Sequence, residues 1–208
     1  MNLYSFMSIS YDLLDKIWFS DKGKNPRDVI EKIIPDEVSS VLDMCCGTFS
    51  NGLPIAKKNP NNRVIGLDRS KAMLREAKEK VRKAGLKNVK FLCRDATQTG
   101  LKNDSFDYII MGLVLHECND VLWNSLLSEA HRLLKKDGKL IILEWEKQTS
   151  ISRKIKFALL YALEVLGNIK YFREFYYSEK SSFFRKYGFE MLEKYECNYT
   201  TVMSMKKR

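Results

Sequence analysis

Two acids stand at the ends of two short apolar stretches in the first half of the chain. Asp43 follows Val41–Leu42, Asp68 follows Val64–Leu67, and an uncharged loop around Gly47 lies between them. This pattern predicts a strand, a tight loop, a short helix and a second strand. In a doubly wound α/β fold, the acid that ends the second strand accepts hydrogen bonds from ribose hydroxyls. We therefore expect a nucleoside-containing ligand across the carboxyl edge of a parallel sheet.

The loop itself narrows the kind of nucleoside. A dinucleotide fold needs a G-x-G-x-x-G loop, so that pyrophosphate can sit on backbone N–H groups at a helix N-terminus. This loop has one glycine, Gly47, at its centre, and Asp43 lies just before it. A carboxylate there would repel pyrophosphate but could help to hold a ligand that carries an amino group.

The same residues resemble the first motif of the class I S-adenosylmethionine (SAM) methyltransferases, acid-x-Gly-x-Gly-x-Gly. Asp43 matches the acid, Gly47 the second glycine, and Cys45 and Phe49 stand where the first and third glycines belong. Cys45 is small. For the bulky Phe49 we expect the ring to point outward, toward the methionine end of the cofactor, because a tight strand–helix contact leaves little room for a ring. Burial of the ring in the sheet–helix interface, as part of the core, is the alternative.

Two further segments resemble the ubiquinone/menaquinone-type C-methyltransferases within that class. IGLDRSKAML is similar to their G-x-D-x-S-x-x-M-L pattern, and SISYDLLDKIW is similar to their N-terminal segment, which closes over the cofactor. The resemblance implies that Asp68 binds the ribose, that Arg69 and Met73 flank the adenine, and that Asp95 accepts a hydrogen bond from the adenine amino group. The complete SAM site it implies consists of Tyr11, Asp43, Cys45, Gly47, Thr48, Asp68, Arg69, Met73, Asp95, Ala96, Gly112 and Leu113.

Proton-handling candidates follow the fourth predicted strand, in the segment MGLVLHE. A histidine near neutrality could take a proton from a carbon acid or a phenol, which makes His116 a candidate catalytic residue. Lining the cofactor pocket is the alternative role for His116. Tyr11, which the resemblance places over the cofactor, is the second catalytic candidate, and packing of the N-terminal helix is its alternative role.

The elements that must position these residues form an α/β fold of the Rossmann-like, doubly wound kind. We expect a mostly parallel seven-stranded sheet with an antiparallel C-terminal hairpin and an N-terminal helical lid. The whole chain, 1–208, is predicted to be one domain. Its parts are the lid (1–34), the cofactor-binding core (39–145), a helical insertion on the substrate side (148–177), and a closing helix and hairpin (178–208).

The segment 151–177 carries an unusually broad apolar face. Basic residues precede this face and aromatic residues follow it. Members of the family build their substrate chamber from an insertion at this place. The segment therefore predicts an apolar acceptor, and it is also a candidate for peripheral membrane contact. A buried core helix is the alternative.

Composition sets the broad class. Of the 208 residues, 45% are hydrophobic and 30% charged, which is ordinary for a globular domain. No apolar run approaches a membrane span, and Tyr4, Ser5 and Asp12 interrupt the N-terminus, so we expect no signal peptide. Five cysteines without even spacing suit a reducing compartment, and we expect a cytoplasmic protein without a metal ion.

The net charge of +10 leaves nucleic acid open as a partner. The lysines are spread over most predicted helices, however, and the Asn/Asp-Pro-Pro-aromatic cluster of enzymes that methylate nucleic-acid bases is missing after the fourth strand. We therefore expect methyl transfer from SAM to a small, apolar or lipophilic molecule. A SAM-binding protein without methylation activity, in a regulatory or interaction role, is the alternative.

Overall fold

The computed structural model describes residues 24–208, except for the side chains of residues 156 and 159–169. Its strands are β1 (Ser40–Met44), β2 (Arg63–Asp68), β3 (Val89–Cys93), β4 (Phe106–Gly112), β5 (Leu134–Trp145), β6 (Phe189–Glu196) and β7 (Thr200–Lys207). Its helices are α1 (Pro26–Ile33), α2 (Gly52–Lys58), α3 (Lys71–Lys83), α4 (Asp120–Leu133), α5 (Ile151–Tyr177) and α6 (Lys180–Lys186). A 3₁₀ turn, Leu115–Glu117, follows β4.

The strands form one sheet in the order β3-β2-β1-β4-β5-β7-β6. β1 to β5 run parallel, while β7 is antiparallel to both β5 and β6. This arrangement confirms the predicted doubly wound sheet and its C-terminal hairpin. Because the parallel strands point the same way, the residues that follow them meet at one edge. Tyr11 and residues 1–23 of the predicted lid lie outside the described residues. The division of the chain into a lid, a core, an insertion and a closing part stays a prediction.

Local sequence signals account for where several helices begin. The Ser70 hydroxyl accepts a hydrogen bond from the Met73 N–H and caps α3. Asn119 caps α4 in the same way through the Leu122 N–H. Asn25 accepts from the Arg27 N–H at the start of α1, where Pro26 has no N–H to satisfy.

The segment α5 folds back on itself. A straight α-helix of its 27 residues would be about 40 Å long. Yet the rings of Phe157 and Tyr176 stack with their centroids 5.8 Å apart, and the Gln148 N–H donates to the Tyr176 hydroxyl at 3.1 Å. The two ends of the segment therefore lie side by side, next to the carboxyl end of β5. No helix within residues 24–208 is long and apolar enough to cross a membrane.

Candidate active site

The loop after β1 alternates in its backbone conformation. Cys45, Gly47 and Phe49 have φ of 61°, 50° and 66°, all in the left-handed region. Glycine enters this region without strain, whereas other residues pay a conformational cost. These are the positions where the acid-x-Gly-x-Gly-x-Gly motif has glycine, so the loop keeps the backbone of that motif with two side chains added.

Phe49 corrects our expectation from the sequence. Its side chain is fully buried instead of facing outward, and it contacts Phe91 edge to face with ring centroids 5.0 Å apart. Room for the ring comes from Gly52 at the start of α2, where an added Cβ would lie 2.1 Å from Phe49 Cε2. The absent side chain of Gly52 therefore leaves the room that the Phe49 ring occupies, and Phe49 belongs to the core.

Asp68 ends β2 with its carboxylate partly exposed and fixed by two backbone donors. Its Oδ2 accepts from the Gly47 N–H at 2.9 Å, and its Oδ1 accepts from the Ser70 N–H at 2.8 Å. Each carboxylate oxygen can accept a second hydrogen bond. The side chain is thus held rigidly at the strand end and keeps the capacity to bind two neighbouring hydroxyl groups.

Asp43 is buried at the end of β1. Its Oδ2 accepts from the Gly52 N–H at 2.9 Å, while its Oδ1 has no hydrogen-bond partner among the described residues. Burial raises the pKa of Asp43 to about 7, although the Gly52 hydrogen bond opposes the shift. The buried Oδ1 of Asn51, next to Gly52, likewise lacks a partner in the described part of the chain. Two neighbouring residues therefore present acceptor oxygens that need a donor.

The charge of Arg69 acts on two of the other predicted residues, Asp95 and Cys45. Hydrogen bonds from the N–H and hydroxyl of Thr97 hold the pKa of Asp95 low, and the charge of Arg69 adds to this effect. Arg69 also partly offsets the burial that raises the pKa of Cys45. The carboxyl ends of β1, β2 and β3 thus meet at the predicted edge, where Asp95 and Arg69 are exposed and Met73 is half-buried.

Two residues of the predicted cofactor site, Thr48 and Ala96, use their side chains for structural contacts. The Thr48 hydroxyl accepts from Lys80 Nζ of α3 at 2.9 Å, and the residue is buried. Ala96 is buried as well and packs in the core cluster with Leu67. Such side chains leave mainly backbone atoms for a ligand at these two positions.

Gly112 and Leu113 follow β4 beside this loop. A Cβ on Gly112 would come within 2.4 Å of Asn51 Nδ2, so a larger residue would displace that side chain. Leu113 has a φ of 55° and donates its N–H to the Leu143 carbonyl at 2.8 Å. Its side chain packs against the aromatic residues around Trp145 as well as against the core near β1.

His116 is buried in the turn after β4 and is paired with Glu144 of β5. His116 Nδ1 lies 2.7 Å from Glu144 Oε2, and both side chains are almost fully buried. Glu144 Oε1 also accepts from the N–H groups of Val114 and Leu115 at 3.0 and 2.7 Å. Because a carboxylate only accepts hydrogen bonds, Nδ1 carries a proton, and Nε2 is the ring nitrogen that can take one.

Aromatic side chains surround this pair. The His116 ring is 5.4 Å from the Phe172 ring and 6.4 Å from the Trp145 ring, centroid to centroid. Trp145 and Phe172 belong to a group of buried rings from β5, α5 and the turn before β7, which we call the aromatic cluster. It consists of Trp145, Phe157, Phe172, Tyr176 and Tyr199. The cluster lies where the sequence predicts the substrate side.

Sequence reasoning missed Glu144, Trp145 and Asn51. An acid inside the otherwise apolar run LIILEW was the available signal for Glu144, because a buried strand seldom carries an unpaired charge. Nothing comparable marks Asn51. The position of Trp145 in the cluster depends on α5 folding back, which periodicity does not encode.

Comparisons with known proteins agree with this geometry. A family model described as a methyltransferase domain matches residues 41–138. A demethylmenaquinone methyltransferase of Lactococcus lactis subsp. lactis is 32% identical over 170 residues, which cover 74% of this chain and 67% of that protein. The chain belongs to the class I SAM-dependent methyltransferases.

Other members of the class are similar over different lengths. A demethylmenaquinone methyltransferase of Geobacillus stearothermophilus is 32% identical over 149 residues, which cover 71% of this chain. The chain spans 63% of the length of that relative. A crystal structure of a SAM-dependent methyltransferase from Aquifex aeolicus has a TM-score of 0.71 at 19% identity and covers 98% of both chains. It shows that the class I fold extends over almost the whole chain.

The residues at the sheet edge fit the cofactor of this class. SAM carries an ammonium group, which can donate to the partnerless oxygens of Asp43 and Asn51. It also carries a ribose with two hydroxyls, which suit the partly exposed carboxylate of Asp68. Among residues 24–208, no group of three His, Cys, Asp or Glu side chains is placed to hold a metal ion.

Proposed function

We propose that the protein transfers a methyl group from SAM to a small, apolar or lipophilic acceptor. The observation that carries this proposal is the position of the His116–Glu144 pair. The pair stands in the turn after β4 and at the end of β5, and the His116 ring contacts two rings of the aromatic cluster. Leu113 packs against this cluster and against the core near β1, which supports a continuous path from cofactor to acceptor.

SAM, when bound, supplies a methyl group on a positively charged sulfur, which needs no further activation. The protein therefore has to bind, orient and exclude water. Asp68 holds the ribose, Asp43 and Asn51 hold the ammonium group, and Arg69, Met73 and Asp95 border the adenine. Backbone atoms of the loop from Cys45 to Thr48, and of Ala96, Gly112 and Leu113, complete the cofactor site.

His116 receives the proton that the acceptor loses when its methyl bond forms. Glu144 fixes the ring through Nδ1, so that Nε2 is the nitrogen that accepts the proton. General bases of this kind contribute about 10²–10⁴-fold to a rate. Tyr11, if the N-terminal segment covers the cofactor, closes the site from above and shields it from water.

An aromatic, apolar acceptor suits the walls around His116. The curated relatives are named for demethylmenaquinone, and an acceptor of comparable apolar character fits the aromatic cluster. Proteins of the cytoplasm keep their cysteines reduced, and the five cysteines here are free thiols, which supports a cytoplasmic location.

A peripheral contact with anionic membranes accompanies this function in our proposal. Ile151 and Ile155, on one face of α5, are 76% and 69% exposed, and Lys154 lies exposed between them. Flotation with anionic vesicles tests the contact. Ile151→Ser/Ile155→Ser should reduce binding, while Val121→Ser, an equally exposed apolar residue of α4, should not. Equal binding of both variants would contradict the contact.

The activity is tested in two steps. Calorimetry with SAM should give saturable 1:1 binding, and incubation with SAM labelled in the methyl group should label a compound from a pool of lipophilic metabolites. Binding without labelled product would favour a SAM-binding protein that transfers no methyl group. Absence of SAM binding, with nucleic-acid binding instead, would refute the proposal.

A further inference from the structure

Two buried tryptophans in this structure differ in one respect. Trp123 and Trp145 are 4% and 5% exposed, and both contact other aromatic rings. Trp123 Nε1 donates to the Leu115 carbonyl at 2.7 Å. Trp145 Nε1 is buried and has no hydrogen-bond partner within the described residues. Buried indole N–H groups are normally hydrogen-bonded, so the donor of Trp145 requires an explanation.

The surroundings of Trp145 suggest what the missing partner is. The ring is next to Glu144 in β5, 6.4 Å from the His116 ring and 5.7 Å from the Phe157 ring. Its other neighbours in the aromatic cluster are also rings, and Leu113 packs against the same cluster. The indole ring is therefore packed among other rings, beside the residue to which we assign proton transfer.

We propose that Trp145 is a specificity-determining residue of the acceptor site. Its indole N–H donates a hydrogen bond to an oxygen on the ring of a flat aromatic methyl acceptor, and the aromatic cluster packs on the faces of that ring. This assignment rests on the proposed function, because it presumes a methyl acceptor beside His116. Acceptors that lack an oxygen at this point are discriminated against, since the buried donor then stays unsatisfied.

The chemistry of the donor limits the ligand. An indole N–H only donates, so it recognises a carbonyl, hydroxyl or phenolate oxygen and rejects an ammonium group. A site that must hydrogen-bond a substrate group excludes the analogue lacking it more strongly than an apolar pocket does. The rings of the aromatic cluster would select the shape of the acceptor, and the single N–H donor would fix its orientation. One edge of the acceptor would then face His116.

The first measurement concerns the protein without ligands. Trp145→Phe and Trp123→Phe remove similar volume from buried sites, and each deletes one indole N–H. Trp123→Phe removes one of two hydrogen bonds to the Leu115 carbonyl, which keeps only the Cys118 N–H, and we expect it to lower Tm by about 2–4 °C more than Trp145→Phe does. If Trp145→Phe lowers Tm as much as Trp123→Phe or more, the Trp145 N–H has a structural partner and the proposal fails.

The second measurement follows the indole N–H directly. In ¹⁵N-labelled protein saturated with S-adenosylhomocysteine, 1,4-dihydroxynaphthalene under reducing conditions should shift the Trp145 indole N–H signal and leave that of Trp123 in place. Naphthalene, which has the same rings without oxygen, should not shift it. An unmoved Trp145 signal at saturating diol, or an equal shift with naphthalene, would overturn the proposal.

Kinetics separates this proposal from the proposed function. With an acceptor identified in the pooled assay, Trp145→Phe should raise KM for the acceptor about tenfold and leave the SAM dissociation constant unchanged. Unchanged KM with normal wild-type turnover refutes the role of Trp145 alone. Wild-type protein that binds SAM and transfers no methyl group to any acceptor refutes the proposed function, and with it the acceptor role of Trp145.

Discussion

The ring of Phe49 fills the space in which a side chain at position 52 would lie. A Cβ on Gly52 would come within 2.1 Å of Phe49 Cε2, and the ring is fully buried against Phe91. The bulky residue at a glycine position of the cofactor loop therefore serves the packing of the core. It fills the space between the loop, α2 and β3.

Replacing Phe49 therefore changes stability more than cofactor binding. Phe49→Gly should lower the free energy of unfolding by about 2–4 kcal/mol, because the loss of a buried ring costs about 3–5 kcal/mol and relief of the left-handed φ returns about 1 kcal/mol. Urea unfolding measures the change. A stable variant with altered SAM affinity would show that the ring acts on the ligand.

A double-mutant cycle sharpens this prediction. Gly52→Ala alone should destabilise, since the added methyl group meets the ring, and it should cost much less in the Phe49→Gly background. Additive costs in the two backgrounds would mean that the two positions do not share the space.

Asp43 gives the stability of the protein a specific pH dependence. The pKa of its carboxyl is near 7 in the folded protein and near 3.8 when unfolded, so the folded state holds the extra proton between these values. Stability from this group is therefore present at low pH and is lost as the pH rises from about 4 to about 7, by up to ~4 kcal/mol.

Asp43→Asn is the matched control for this titration, because an amide oxygen can still accept from the Gly52 N–H. Urea unfolding between pH 5 and pH 8 should show wild type losing stability relative to the variant. Bound SAM should flatten the difference, since its ammonium group favours the ionised carboxylate. Parallel pH profiles without SAM would contradict the assignment.

Asp68 combines the proposed ligand role with a structural one. Asp68→Ala should weaken SAM binding at least tenfold, because two charge-assisted hydrogen bonds to the ribose are lost. It should also cost stability, since the N–H groups of Gly47 and Ser70 lose their acceptor. Calorimetry and thermal unfolding measure the two effects. Asp95→Ala, at an exposed position, should leave stability nearly unchanged.

The His116–Glu144 pair predicts different outcomes for its two members. His116→Gln should lower kcat by about 10²–10⁴-fold at unchanged SAM affinity, while Glu144→Gln should also lower stability, because several N–H groups converge on the carboxylate. Asp137→Asn, at an exposed position of β5, is the control and should stay active. Full activity of His116→Gln would remove the general-base role.

The sheet and its edge were predictable because their signals are local. Apolar runs define β1, β2 and β5, Ser70 marks a helix start, and Asp68 follows a motif with fixed spacing. The direction of the Phe49 ring was not predictable, since it depends on the space left by Gly52 and on Phe91, which lies 42 residues further along the chain in β3. The aromatic cluster brings together Trp145, Phe172 and Tyr199, whose proximity arises only when α5 reverses and β7 inserts.

The position of β7 has a consequence for how the molecule is assembled. Trp145 in β5 pairs with Thr200, 55 residues further along the chain, and β7 then separates β5 from β6. During synthesis, β5 therefore leaves the ribosome as an open strand edge and stays so until the last of the seven strands emerges. Long-range pairing of this kind is slow and exposes an aggregation-prone edge. The proposed acceptor side around Trp145 can close only after that step, so the nascent chain can complete its cofactor-binding strands, β1 to β4, before the aromatic cluster forms.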